Sequence, residues 1–298
     1  MSLTVTILGA AAGGGLPQWN CGCSQCDDAR AGLIPSATQS SVAVSADGAA
    51  WAIINASPDI RRQIELTKEL HPTGLRESPI KAVLVTNGDI DHIAGLLTLR
   101  EKQPFSLFAT PTIHEILDAN PIFEALDRSL VERVAITLDT PFTLLPGLEA
   151  TLYAVPGKVP LFLEGETVDT ALEGETTVGV RLSAEGRVVH YVPGCALLTN
   201  RLATQLHGAD LLLFDGTLWH DNEMIEAGLG QKTGRRMGHM PISGPDGSLE
   251  AFAPLTLGQR VYVHLNNSNP VLDPASAQRA EVERAGWIVG ADGMKLTP

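Results

Sequence analysis

Two blocks of short apolar segments, each followed by helical patterns, run along this chain with no repeat and no linker between them. Thr4 to Leu8 alternates as a strand does, and residues 10–15 form a glycine loop. Residues 41–44 and 51–55, with DGAA between them, read as a hairpin, and residues 59–70 as a helix opening at Ser57-Pro58. A strand at 82–85, a helix at 93–100, a strand at 106–109 and helices at 112–119 and 123–130 complete the first block. The second block begins with strands at 133–138, 142–145, 148–155, 177–182 and 188–193. Helix 199–206, strand 211–214, helix 248–255 and strand 260–264 follow. Strands then helices, twice over, predict two packed sheets with helices outside. The expected fold is α/β of the α+β type, a four-layer αβ/βα sandwich in one domain over residues 1–298.

Composition narrows the function more than the fold. A net charge of −13 repels phosphates, which argues against a general nucleic-acid or anionic-membrane binder. No run approaches the roughly 18 apolar residues of a membrane span. The start, MSLTVTILGAAAGGGLP, lacks a basic lead and reads as a strand, so the expected location is cytoplasmic. In a reducing compartment, four cysteines with three of them in residues 21–26 make a poor disulfide framework.

Those three suit a metal better. Cys21, Cys23 and Cys26, in WNCGCSQCDDAR, can wrap one soft tetrahedral cation, and zinc in a structural role is expected. The plain alternative is a set of buried thiols behaving as small hydrophobes. Spacing does not name the fourth ligand, and Cys195 in PGCALL reads as a core thiol.

A second set of polar residues stands at the ends of apolar runs. Asp91 and His92 follow KAVLV, Asp215 follows LLLF, and His264 follows RVYV. Ligands at strand ends share one rim of a sheet, where loops converge on a cleft. Any one alone is explained as well by a cap, a turn aspartate or a core histidine, and Asp91 as an N-cap. Asp59 is read as helix-start chemistry.

VTNGDIDHIAG resembles the metallo-β-lactamase superfamily motif T-H-x-H-x-D-H. The resemblance continues through INASPDIRRQ, LLLFDGTLW, MGHMPI and VYVHLNNSNP, and some phosphodiesterase members share the cysteine cluster. AAGGGLPQWNCGCSQC, VPGKVP, FDGTLWHDNEM and HLNNSNP narrow it to a family acting in pyrroloquinoline quinone (PQQ) biosynthesis. Carried over by position, the first metal site of the superfamily is lost. Asn87 and Asp89 stand for two of its histidines, and Lys158 for the third, where its ammonium can pair with Asp89. The second site is kept whole as Asp91, His92, Asp215 and His264.

Such a set suits a single Fe(II) with open positions, whereas two-metal hydrolysis needs cations about 3.5–4 Å apart. The resemblance implies an oxygen-dependent hydroxylase of the tyrosine ring in a cross-linked Glu-Tyr precursor. It also places His239 outside the metal shell, either as a general acid–base or as a structural hydrogen-bonding group. Lys232, Arg235 and Arg236 are candidates for the carboxylates of that small peptide-derived substrate, against the plainer reading of a solvated basic loop. Trp219 and His220 are candidate pocket residues. The histidine that completes the cysteine site in relatives is replaced by Asn267. Two other functions stay open: a carrier of the quinone or its precursor, and a one-zinc hydrolase. The oligomeric state, a homodimer included, is left open too.

Overall fold

The computed structural model describes residues 3–165 and 167–298. The chain opens with β1 (Thr4–Gly9), then α1 (Ser24–Arg30) carrying Cys26 on its buried side. The hairpin of β2 (Ser41–Ser45) and β3 (Trp51–Ile54) is turned by side chains as much as by backbone. Asp47 Oδ1 accepts from the amides of Ala49 and Ala50, and Gly48 takes the left-handed φ of 74° that a Cβ would resist. After α2 (Ile60–Leu66) come β4 (Ile80–Leu84), α3 (Ile90–Ile93), β5 (Phe105–Ala109), α4 (Pro111–Asp118) and β6 (Val131–Ala135). Thr110 caps α4 by accepting from Ile113 N, and Pro111 sits in the first turn, where its missing N–H costs nothing.

The second half contains β7 (Phe142–Leu145), β8 (Leu148–Ala154), β9 (Val178–Ala184) and β10 (Arg187–Val192). It continues through α5 (Asn200–Leu206), β11 (Leu211–Asp215), α6 (Glu223–Glu226), α7 (Ser248–Phe252), β12 (Gln259–Val263), α8 (Ala277–Arg284) and β13 (Ile288–Val289). The last strand, β14 (Lys295–Leu296), returns to lie beside β1. Among the described residues the strands form two seven-stranded mixed sheets, ordered β14-β1-β2-β3-β4-β5-β6 and β13-β12-β11-β10-β9-β8-β7.

Strand periodicity explains the layers. Val42 and Val44 point between the sheets with Leu211, Leu213, Val261 and Val263. Ala43 faces Ile60 and the first block's helices instead, and Leu212, Phe214 and Tyr262 pack on Phe252, Val282 and Trp287. Three apolar interfaces stacked in this way make the αβ/βα sandwich that the strand series predicted. No helix among the described residues is long and apolar enough to cross a membrane.

Three expectations need correction. The helix placed at 93–100 starts at Ile90 and passes into a 3-10 turn over Ala94–Leu97. Gly95 causes the break: its N–H turns outward to Ala56 O at 2.9 Å, and a Cβ there would lie 2.1 Å from Ser57 O. The helix placed at 123–130 is only a 3-10 turn, Pro121–Ala125, whose threefold period is enough to bury Phe123 and Leu126. Asp59 caps no helix by its side chain; its carboxylate accepts from Gln39 N and Nε2. Helices α1, α6 and α8 and strands β13 and β14 were not foreseen.

Candidate metal centre and pocket

The strand-end residues do share one rim. Asn87 to His92 follow β4, Lys158 follows β8, Gly194 and Cys195 follow β10, Asp215 ends β11, and His264 follows β12. In open sheets of this kind the carboxyl ends of the strands frame the ligand crevice. Here they frame a cavity of about 390 Å³ lined by Asn87, Asp89, Asp91, His92, Lys158, Glu164, Thr217, Lys232, His239 and His264. Leu161, Met224 and Met237 supply its apolar side.

The four expected ligands are divided. Asp91, His92 and His264 bring ligand atoms to within 4.8 Å of one another, and Asp215, His239 and His264 form a second, overlapping set. In the first set, Asp91 Oδ2 lies 3.1 Å from His264 Nε2 and 3.8 Å from His92 Nε2. His92 Nε2 is buried and has no hydrogen-bond partner. A solvent-excluded ring nitrogen left unpaired beside a carboxylate and a second imidazole fits a metal ion well, because an unmet polar atom costs about 1–3 kcal/mol. Asp91 lies inside α3, two residues past the N-cap position at Asp89, so its capping role is excluded.

Electrostatics reinforce that set. Burial opposes ionisation of Asp91, but the facing His92 and His264 outweigh it and hold the carboxyl below its ordinary value. Burial also pulls His92 down, which favours the neutral ring that metals take. His264 has the opposite net shift: burial works against its charge, yet the bond and charge of Asp91 raise it. His264 also has a left-handed φ of 57°, a conformation costing a non-glycine residue about 1–3 kcal/mol. Thr217 holds it there, with Oγ1 lying 2.9 Å from His264 Nδ1 and 3.0 Å from its carbonyl oxygen.

Asp215, fully buried, has both oxygens engaged. Oδ1 accepts from Thr217 N at 3.0 Å and Oγ1 at 2.6 Å; Oδ2 accepts from Cys195 N at 2.9 Å and from His239 Nδ1 at 2.7 Å. The carboxylate thus directs His239, whose ring stacks on His264 with centroids 5.1 Å apart and lines the cavity.

The expected Lys158–Asp89 pair does not form. Lys158 Nζ instead meets Glu164 Oε1 at 2.9 Å, while Asp89 Oδ1 accepts from Leu161 N. Glu164 gathers two further cations, Lys232 at 3.3 Å and Arg236 at 3.2 Å. Burial of Glu164 disfavours its charge, yet Lys158 and then Lys232 overcome this and hold its pKa at about 2. Arg235 is directed away, to Asp246. Trp219 packs into the outer core, and His220 pairs at the surface with Glu226, so neither lines the cavity.

The three cysteines converge as their spacing predicted, with sulfurs within 4.8 Å of one another. Asn267 caps no turn; its Nδ2 stands 3.2, 3.5 and 3.4 Å from the sulfurs of Cys21, Cys23 and Cys26. The turn before Pro270 is capped by Asn269. Burial pushes the Cys26 thiol up to about 11. For Cys23, hydrogen bonds outweigh burial and lower it. Cys195 stays outside the cluster as a buried thiol bonded to Leu197 O, in keeping with its core reading.

Thr217, Glu164 and the contact of Asn87 with His92 escaped the sequence reading. Thr217 had one visible signal, its place two residues after Asp215. Glu164 had little, because two of its three partners lie 68 and 72 residues away.

Residues 50–265 match the family described as beta-lactamase superfamily domain. A coenzyme PQQ synthesis protein B from Ruegeria pomeroyi is 60% identical over 294 residues, covering 99% of each chain. This chain belongs to the coenzyme PQQ synthesis protein B family. Another family member, from Rhizobium meliloti, is 56% identical over 297 residues, covering 99% of this chain and 97% of its own. The Zn(2+)-bound PqqB of Methylobacterium extorquens, a solved structure of the family, has a TM-score of 0.98 at 52% identity, covering 99% of this chain and all of its own. A diphosphatase of the PhnP family, at 21% identity and TM-score 0.69, shares the fold.

Proposed function

We propose that this chain acts in PQQ biosynthesis as an oxygen-dependent hydroxylase of the tyrosine ring in a small Glu-Tyr-derived precursor. The observation carrying it is the Asp91–His92–His264 convergence, with the bare Nε2 of His92 facing a substrate-sized cavity. Two imidazoles and one carboxylate make the donor set of mononuclear Fe(II) sites, and iron bound there supplies dioxygen binding and one-electron chemistry.

The remaining residues act on substrate and protons. Lys232 and Arg236, joined by Lys158, provide three cations against the one carboxylate of Glu164, an excess that suits the carboxylates of a Glu-Tyr precursor. Leu161, Met224 and Met237 cover the ring and exclude water. Asp215 holds the Nδ1 proton of His239, leaving Nε2 to take or give a proton at a phenol in the cavity. Asp89 fixes the loop edge through Leu161 N. Cys21, Cys23 and Cys26 hold a structural zinc, with Asn267 closing the fourth side.

Anaerobic protein loaded with Fe(II) should consume oxygen and yield hydroxylated product when given a tyrosine-containing precursor. Metal-loaded protein that binds the precursor but takes up no oxygen would sink this reading. A one-zinc hydrolase is the second reading, favoured by the zinc-bound relative from Methylobacterium extorquens. It requires ester or phosphodiester cleavage that is lost on chelation and indifferent to oxygen.

A further inference from the structure

We infer that Asn87 is a positioning residue that fixes the tautomer of His92, holding the proton on Nδ1 so that Nε2 enters the cavity as a bare lone pair. The position that the superfamily gives to a metal-binding histidine thus serves the neighbouring ligand. The inference rests on the reading that Asp91, His92 and His264 hold a metal.

The hydrogen bonds allow one assignment. The Asn87 side-chain atom in question receives the backbone N–H of Asp89 at 2.9 Å, and a backbone amide only donates. The receiving atom is therefore the oxygen. That same oxygen lies 2.7 Å from His92 Nδ1, so Nδ1 must carry the proton there. In a neutral ring the proton cannot also be on Nε2, the buried atom without any partner. A free histidine side chain favours the opposite tautomer, so the protein must impose this one. Asn87 can do so because it is only 7% exposed and its backbone bridges to Thr177, fixing where the oxygen sits. In metal sites such outer hydrogen bonds set ring orientation and ligand basicity, and losing one costs roughly 10–100-fold in metal affinity.

Two readouts test this on the full chain with the cysteine site filled by zinc. The first is the 15N spectrum of the histidine rings before any metal is added to the triad. His92 should show an unprotonated Nε2; Asn87→Ala should move the proton toward Nε2, and Asn87→Asp should keep it on Nδ1. The second is a Co(II) titration followed by its visible ligand-field bands. Asn87→Ala should weaken binding by ~10–100-fold and Asn87→Asp should restore it, with no thiolate-to-Co(II) bands appearing, so that the zinc-filled cysteine site takes no part in the titration. An Nε2–H tautomer in the parent, or one that Asn87→Ala leaves unmoved, overturns the inference. So does Asn87→Asp behaving like Asn87→Ala. If the parent triad takes no Co(II), the metal reading fails, and the ring spectrum alone still decides the role of Asn87.

Discussion

Cys21, Cys23 and Cys26 come from one short loop and the helix it starts, whereas Asp91 and His264, 3.1 Å apart in space, are separated by 173 positions in sequence. The cysteine cluster is assembled by local chain geometry and closed by one distant side chain, Asn267. The histidine cluster exists only when both sheets are complete, since β4 lies in one and β11 and β12 in the other. A locally built site has its donors spent on one ion and anchors a loop. A site built across two sheets can leave one face open to a cavity.

The sharpest way to separate the two clusters is His92→Ala. Oxygen uptake should vanish while metal analysis still finds the cysteine-bound ion; loss of both ions would show that the clusters are not independent. Next in size, His239→Asn should lower turnover by ~10²–10⁴-fold with both metal contents intact. A rate within a few-fold of the parent would return His239 to a structural role. Cys26→Ser probes the other cluster: zinc should leave and Tm should fall by about 3 °C, matching a loss near 2 kcal/mol. Iron at the triad should remain.

The smallest effect concerns Glu164. Glu164→Gln should raise KM for a carboxylate-bearing substrate by roughly 5-fold with kcat nearly held, because the cations lose their common anchor. The same variant has a pH signature. The folded pKa of Glu164, about 2, lies below its ordinary 4.5, so its stabilising contribution is complete above pH 4.5 and disappears as pH falls toward 2. The substitution should flatten the stability curve in that window, and an unchanged slope in acid unfolding would argue against the cluster.

This contrast also explains what the sequence disclosed. The series of strands, the four layers and the cysteine cluster follow from local period and spacing, which a linear reading captures. Asp91, His92 and His264 were legible as strand-end residues, and the family resemblance grouped them. The different surroundings of two strand-end aspartates were not legible. Asp215 and Asp91 have the same strand-end context, and only the four hydrogen bonds around Asp215 distinguish them. Lys158 was assigned to Asp89 by the superfamily positions the two take over, but Glu164 is only six positions away and its carboxylate faces the ammonium directly. The C-terminal α8 has one buried residue, Val282, too little apolar period to announce a helix.

The 3-10 turn Leu161–Leu163 leaves its three apolar side chains largely exposed, with Leu161 at the edge of the cavity. On its inner side, Glu164 ties it to cations contributed by a separate loop. Lys232 and Arg236 are each more than a third exposed, so added salt weakens their pairs with Glu164 more than the buried pair with Lys158. The buried imidazoles are shielded from such screening. Salt is therefore a handle on entry to the cavity rather than on events inside it. A KM that rises with added salt while kcat holds would report the loosening of these pairs.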